Sequence, residues 1–381
     1  MNGSLLNFRT DPIPEVRIGL IGTGSRGCQT IARYVEVSGA RIVCLADINE
    51  ENLARANKLL TDSGRPAART ICGAQAWQEI CRQEDVNIVY ICTDWASHAK
   101  IACEAMENGK HVAVEVPAAT TVSECRKLVE VAEKTRRHCF MTENCCYDFF
   151  FLANLEMARQ GKFGDIRHCE GAYIHHLEEE SPWMMDNYAF HGGNPYPTHG
   201  LGPIGLLLNI HRGDRLDYLV SVTTSEGCIN NTLIRTVLGR TILLQLDVTT
   251  PRNYSRIQTI CGSRGYSQRY PLATLSFDDG TSFSGEAALE EAHHFFHSHA
   301  AEEWQEGHDK GVINEMNYAM DRRLVYCLRN GLPLDIDVYD AAEWSCIAEL
   351  SRQSAQNNSQ PVAIPDFTNG HWQDIKGHCF F

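Results

Sequence analysis

The stretch Val16–Asp47, VRIGLIGTGSRGCQTIARYVEVSGARIVCLAD, decides the fold. An apolar run from Val16 to Ile21 ends in Gly22-Thr23-Gly24-Ser25-Arg26-Gly27. Cys28 to Glu36 then has helical spacing, and a second apolar run from Ala40 to Ala46 stops at Asp47. The order is strand, glycine turn, helix, strand. In that setting G-x-G-x-x-G is a dinucleotide signature. Gly22 makes the tight turn, and Gly24 lets the backbone N–H groups around Ser25 and Arg26 approach a pyrophosphate. Gly27 lets helix and strand pack closely. Asp47, twenty residues past Gly27, is placed to accept both ribose hydroxyls and to repel a 2′-phosphate, which favours NAD over NADP. Arg26 argues the other way, because a guanidinium beside that ribose suits a phosphate.

The alternation continues outward. Helical spacing covers Glu50 to Leu60, Ala76 to Arg82, Ser97 to Asn108 and Ser123 to Thr135; strand-like runs cover Val86 to Cys92, His111 to Val114 and Cys139 to Met141. Strands alternating with helices predict a parallel sheet covered on both faces. Beyond Asn144 the rhythm changes. Phe149 to Arg159 reads as a helix, and β-rich stretches follow at Ile166 to His175, Tyr218 to Thr224, Leu233 to Val248 and Ser255 to Cys261. Helical stretches return at Asn314 to Arg329 and Asp340 to Gln356, and Pro361 to Asp366 leads into an exposed tail. The expected fold class is α/β: a Rossmann domain over 1–145, then an α/β domain over 146–381 with a large open-faced mixed sheet. The C-terminal segment is placed to pack back on the first domain.

Composition narrows the function. The chain has 381 residues, 43% of them hydrophobic, and 34 basic against 48 acidic side chains give a formal charge of −14. An acidic chain of this kind lacks the basic face of a nucleic-acid binder. No segment approaches the ~20 apolar residues of a membrane span, and Met1 to Glu15 lacks a basic region followed by an apolar run. The 16 cysteines are scattered singly or paired only as Cys145-Cys146, with no C-x-x-C, so they read as reduced apolar core residues of a cytoplasmic enzyme.

Residues just after later strands of such a sheet line the cofactor. Thr93-Asp94-Trp95-Ala96-Ser97-His98 ends one strand and Glu115-Val116-Pro117 the next. Trp95 is suited to pack on the nicotinamide half. His98 is suited to a ribose or diphosphate oxygen, unless Ser97 caps a helix and His98 is a solvated first-turn residue. Glu143 to Tyr147 leaves the last strand of the first domain, and Tyr173-Ile174-His175-His176 ends a β-like run. Tyr196-Pro197-Thr198-His199-Gly200-Leu201-Gly202-Pro203 presents a tyrosine and a histidine in a stiff loop before an apolar helix from Ile204 to Asn209, an arrangement suited to proton transfer on a sugar. His293, His294, His297, His299 and His308 sit in a Glu-rich segment that reads as a solvated helix or loop, and no metal site is expected.

At these residues the chain resembles the Gfo/Idh/MocA oxidoreductases, and more closely the NAD-dependent glycosidases of glycoside hydrolase family 109, typified by α-N-acetylgalactosaminidase. The resemblance lies in HVAVEVPAA (111–119), TENCCY (142–147), GAYIH (171–175), YPTHGLGP (196–203), NIHRGD (209–214) and PVAIPDFTNG (361–370). Val116 stands where most of the oxidoreductases carry a proton-moving lysine. The resemblance implies a glycosidase in which NAD is not consumed: the sugar is oxidised at C3, loses its C2 proton, eliminates the C1 substituent, adds water and is reduced again. It makes Tyr196 and His199 the acid/base groups and Glu143, Tyr173 and Tyr196 sugar contacts, with His175 at the sugar or nicotinamide edge. The alternatives are an NAD-dependent sugar or cyclitol dehydrogenase with His199 as base, and a silent sugar or NAD sensor. Three stretches depart from the family pattern: Trp183-Met184 for Trp-Arg, Ile313-Asn314-Glu315-Met316-Asn317 for Gly-His-Gly-Gly-Met-Asp, and Thr93-Asp94-Trp95 for Thr-Pro-Trp. The first two bear on which sugar fits. The open sheet face is a common place for subunits to pair, so a dimer or tetramer is expected.

Overall fold

The computed structural model describes residues 3–177, 192–225 and 229–377. The first sheet contains β1 (Val16–Ile21), β2 (Ala40–Asp47), β3 (Arg69–Cys72), β4 (Ile88–Ile91), β5 (His111–Val114) and β6 (Cys139–Met141) in the order β3-β2-β1-β4-β5-β6. Every pairing is parallel. The strand order reverses between β1 and β4, which opens a crevice at their carboxyl ends. The interior strands β4 and β5 are buried throughout, as a sheet covered on both faces requires. Edge strand β3 is short, polar and largely exposed, and its RTIC carries no apolar alternation to betray it.

Helices α1 (Ser25–Tyr34), α2 (Glu50–Asp62), α3 (Ala76–Arg82), α4 (Trp95–Glu107) and α5 (Val122–Thr135) cover this sheet. The Thr121 side chain accepts from Glu124 N, and Glu124 returns the bond to the Thr121 N–H, which fixes the start of α5.

The second sheet has nine strands, β7 (Ile166–Ile174), β8 (Leu216–Thr223), β9 (Ile229–Thr236), β10 (Thr241–Asp247), β11 (Thr259–Gly262), β12 (Gly265–Gln268), β13 (Thr274–Phe277), β14 (Ser282–Ser284) and β15 (Val362–Ala363), ordered β14-β13-β12-β11-β7-β10-β9-β8-β15. Among the described residues only β7 and β10 run parallel, so the sheet is mixed. The Leu233 to Val248 run is two strands: a tight turn at Val237–Arg240 breaks it into β9 and β10. One face of β8 and β9 stays open, with Val222 56% and Leu233 47% exposed.

The helices of the remaining described residues are α6 (Phe149–Arg159), α7 (Thr198–Leu207), α8 (Glu286–His293), α9 (His299–Asp309), α10 (Glu315–Asn330) and α11 (Val338–Gln356). The 286–309 segment is thus two helices. Helix α7 begins six residues before the expected one, because glycines and Pro203 disguise it. Those glycines are steric necessities: a Cβ on Gly202 would stand 2.8 Å from Glu143 Cγ and 3.1 Å from Trp344, and one on Gly171 would collide with Gly200 O. Helix α7 is thereby pressed onto β7 and against Glu143.

The late helices return to the first sheet. Ser345 Oγ accepts from Ala118 N at 3.1 Å and Glu349 from Val122 N at 2.6 Å, while Arg33 of α1 and Asp321 of α10 form a buried pair at 2.8 Å. The 361–366 segment is itself anchored before the chain turns outward: Val362 and Ala363 add an edge strand to β8, Ile364 and Phe367 are buried, and residues 369–377 are exposed or half-buried. Among the described residues no helix is long and apolar enough to cross a membrane, and every cysteine is free, most of them buried.

Candidate active site

The glycine turn is built as its spacing requires. Gly22 has φ +87°, and a Cβ there would stand 2.6 Å from Cys92 O, while a Cβ on Gly27 would collide with Gly22 O. Gly24 faces open space, with nothing within 4 Å of its ideal Cβ. It opens onto a cavity of about 440 Å³ at the carboxyl ends of β1, β2 and β4, lined by Gly22, Asp47, Ile48, Thr93 and Ser97. The cleft, the bare glycine and the free N-terminus of α1 fit a pyrophosphate and its adjoining ribose. Asp47 accepts from Thr23 N at 2.6 Å and from Asn49 N at 2.9 Å. Burial opposes its charge, but these donors outweigh burial and hold its pKa below the usual range. Sequence reasoning missed Ile48, Trp77 and Lys100 on the same wall. Ile48 is 79% exposed, an apolar side chain at the cleft mouth whose only sequence signal is its place after Asp47.

Arg26 is engaged by Glu115 at the end of β5, 3.5 Å away, and that carboxylate raises its pKa. Ser97 is not the cap of α4: Asp94 occupies that position, and Ser97 Oγ bonds Thr93 Oγ1 at 2.7 Å. His98 is neither solvated nor aimed into the cleft. It is fully buried, its ring nitrogens facing Pro117 O at 2.8 Å and Thr93 O at 3.1 Å, and burial lowers its pKa. It therefore ties the loops after β4 and β5 together, leaving neither nitrogen for a cofactor oxygen. Val116 is buried, and the Pro117 carbonyl is taken up by His98.

The second half of the site is an acid, an imidazole and a phenol in line. Glu143, at the end of β6, has no exposed surface. Its oxygens lie 2.8 and 2.9 Å from His199 Nδ1, and Oε1 also accepts from Cys145 N at 3.1 Å. His199 Nε2 faces Tyr196 Oη at 3.4 Å. Glu143 thus stands behind His199, with no exposed surface of its own in this structure to meet a sugar. Burial lowers the His199 pKa, but the fields of Cys145 and Glu143 outweigh it and push it up to about 10. Burial raises the Glu143 value, and His199 outweighs that in turn, leaving it lowered.

Tyr196 stacks on Trp95 with ring centres 5.7 Å apart, so Tyr196 and His199 adjoin the cofactor sheet. Tyr173 packs on Tyr196 at 4.8 Å and its hydroxyl meets His175 Nδ1 at 3.2 Å. Tyr254, which sequence reasoning missed because it lies in an irregular segment, stands edge-on to His175 at 5.3 Å. Arg256, also missed, is buried and paired with Asp148 at 2.8 Å. Asn317 accepts from Asn144 Nδ2 at 3.1 Å, so the 313–317 stretch abuts the Glu143 turn. Trp183 and Met184 lie outside the described residues. His293, His299 and His308 instead pack on Phe149, Tyr326 and Trp304.

Comparison with known proteins is decisive for the family. Residues 147–227 and 222–374 match the C-terminal domain of glycosyl hydrolase 109, and residues 16–143 match the oxidoreductase family with an NAD-binding Rossmann fold. The chain is 48% identical to glycosyl hydrolase family 109 protein 2 and to an α-N-acetylgalactosaminidase, both of Bacteroides fragilis, covering 97% of this chain and 96% of each relative. It belongs to glycosyl hydrolase family 109.

Solved structures show the same fold for this family 109 chain. A levoglucosan dehydrogenase in complex with NADH and levoglucosan superposes with a TM-score of 0.71 at 17% identity, covering 92% of this chain and all of the other. A scyllo-inositol dehydrogenase from Lactobacillus casei gives 0.69 at 14% identity, covering 93% of this chain and 99% of the other. The family 109 chain therefore carries an NAD-binding Rossmann sheet joined to an open-faced mixed sheet, and NAD is the cofactor that its cleft fits.

Proposed function

We propose that this chain is a glycosidase that recycles its NAD while hydrolysing an α-linked N-acetylhexosaminide such as an α-N-acetylgalactosaminide. The observation that carries the reading is the buried line Glu143–His199–Tyr196, set against Trp95 beside the cofactor sheet. NAD⁺, held in the cleft lined by Gly22, Gly24 and Asp47, would supply the hydride acceptor and donor at C3 that no side chain of the site can supply. The C3 ketone makes the C2 proton acidic, and Tyr196 and His199 take up and return protons at C2 and at the C3 hydroxyl. Loss of the C2 proton expels the aglycone from C1, water adds at C1, and C2 is reprotonated. Such a route needs no pair of carboxylates across the glycosidic bond.

Glu143 holds the Nδ1 side of His199 and stabilises charge on the ring, which leaves Nε2 as the atom that exchanges protons. Val116 can move no proton, so the transfer falls to Tyr196 and His199. Tyr173 and His175, joined at 3.2 Å, are read as contacts to sugar hydroxyls and to the sugar–nicotinamide edge. Free, largely buried cysteines among the described residues are what a reducing cytoplasm leaves, and a glycosidase there would serve carbohydrate metabolism. The exposed Val222 and Leu233 on the open sheet support pairing of subunits there.

The test is incubation with aryl α- and β-glycosides in D₂O without added NAD. Aglycone release with deuterium at C2 and no net NADH is expected. Stoichiometric NADH from a free sugar would replace this reading with a sugar or cyclitol dehydrogenase in which His199 is the base.

A further inference from the structure

We propose that Glu143, Cys145 and His199 form a binding site for a thiophilic divalent cation, Zn²⁺ being the best match, and that its occupancy switches the proton-transfer line off. The switching half rests on the glycosidase reading; the binding half does not.

One ligand atom from each of the three residues can be chosen so that all lie within 4.8 Å of one another. The chain brings them together in two steps. Glu143 and Cys145 are two residues apart in a tight turn, with Cys145 N donating to the Glu143 carboxylate at 3.1 Å. The first turn of α7 then lays His199 against that carboxylate at 2.8 Å. Glu143 and Cys145 are buried, and His199 is 9% exposed, with Nε2 facing Tyr196.

Thiolate, imidazole and carboxylate are zinc's own ligand types, and three protein ligands with a fourth position left for solvent is a common zinc arrangement. Tetrahedral bonds of about 2.0–2.3 Å put neighbouring ligand atoms roughly 3.3–3.8 Å apart, so closure needs side-chain shifts of about 1 Å. The thiol excludes the hard cations Mg²⁺ and Ca²⁺ as preferred occupants. Binding would release the Cys145 thiol proton and the proton shared by His199 and Glu143, and two anionic ligands would then neutralise the metal.

The surroundings set a cost and a constraint. The Cys145 thiol donates to Asn144 Oδ1 at 3.5 Å, and Asn144 Nδ2 is held by Asn317 Oδ1 at 3.1 Å, so the bond that orients the sulfur is one the thiolate gives up when it takes the metal. The neighbouring guanidinium of Arg256 is paired with Asp148 at 2.8 Å and does not stand uncompensated against a cation. The chain's net charge of −14 also draws cations toward it. Once the metal takes the place of the shared proton, Glu143 can no longer support a charged His199, and proton exchange with Tyr196 stops.

Titration of the purified NAD-loaded protein with Co²⁺ as a spectroscopic probe, followed by displacement with Zn²⁺, tests the binding half. One equivalent should produce a thiolate-to-cobalt charge-transfer band with tetrahedral d–d absorption. Cys145→Ala should lose the charge-transfer band and bind roughly tenfold or more weakly, and His199→Gln should weaken binding likewise, with thermal melts confirming that both variants fold. Glycoside hydrolysis by the unaltered chain should fall in step with zinc occupancy and recover with EDTA. In Cys145→Ala, zinc should leave the rate, taken relative to that variant's own zinc-free rate, nearly unchanged. No charge-transfer band, or equal binding by Cys145→Ala, overturns the site. The band with no hydrolysis under any condition upholds the site and defeats the glycosidase reading. The band with hydrolysis indifferent to zinc overturns the switch.

Discussion

Glu143 and His199 meet in the interior with both carboxylate oxygens within 2.9 Å of one ring nitrogen, and the acid has no surface exposed to solvent. A carboxylate so placed orients the imidazole and supports its charge without touching substrate. Glu143→Gln keeps the shape and removes the charge, so kcat should fall by roughly 10²-fold or more. NAD affinity should be unchanged. Because Glu143 raises the proton affinity of His199, the limb of the pH–rate profile that reports His199 should move to lower pH in the variant. Steady-state kinetics across pH measures both, and an unmoved limb would remove Glu143 from behind His199.

The same pair sets a pH window for stability. The His199 value is raised to about 10 in the folded chain. A raised group stabilises fully below its ordinary value of about 6.5 and loses that contribution as pH climbs through its folded value. Glu143 is lowered, so its share is present above about pH 4.3 and lost on acidification. The melting temperature should therefore decline between about pH 7 and 10, and His199→Asn should flatten that decline. Thermal melts at fixed ionic strength give the slope.

Two glycines of the turn should fail in different ways. A Cβ at Gly27 would collide with Gly22 O, a backbone atom that cannot yield, so Gly27→Ala should lower the melting temperature and abolish NAD binding together. Gly24 has nothing within 4 Å of its ideal Cβ. Gly24→Ala should fold as well as the parent yet bind NAD more weakly, since the added methyl occupies the pyrophosphate approach. Calorimetry for NAD beside a melt separates the two.

Asp47 accepts two backbone N–H groups and lines the cleft, so its carboxylate is held ionised. Asp47→Ala removes a charge-assisted acceptor worth about 1.5–3 kcal/mol, and NAD should bind roughly tenfold to a hundredfold more weakly. NADP should gain relative to NAD, because the repulsion of a 2′-phosphate is gone. Parallel binding titrations with the two dinucleotides check the ratio.

The glycine turn, Asp47 and the strand rhythm were legible because each is local: a few consecutive residues carry the whole signal. What escaped reading depends on contacts distant in sequence. Helix α7 hid behind Pro203 and behind Gly200, Gly202 and Gly205, glycines required by β7, Glu143 and Trp344, not by the helix. Glu143 reads as a sugar contact from its place after β6, and only the approach of α7, more than fifty residues later, turns it toward His199. His98 has the sequence of a solvated helix start; two loop carbonyls that no local pattern predicts claim its ring. Strand β3 and the pair β9–β10 were lost for a simpler reason, a short polar edge and a turn lacking the usual hairpin dipeptide.

Arg33 and Asp321 carry a last prediction about how the two halves are held. The pair joins α1, which opens the cofactor turn, to α10 near the Glu143 turn, at 2.8 Å with 7% and 0% side-chain exposure. Tyr90 adds a bond to the same carboxylate at 3.3 Å. Removing one partner leaves a buried charge without compensation, which costs about 3–5 kcal/mol. Asp321→Ala should therefore destabilise strongly. The double change Arg33→Met with Asp321→Leu, which leaves no buried charge, should recover most of the loss. Denaturant melts of the two singles and the double give the coupling. A double variant as unstable as the worse single would mean that the pair holds a geometry that apolar packing cannot supply, and NAD affinity measured on the same proteins would show whether the cofactor turn depends on it.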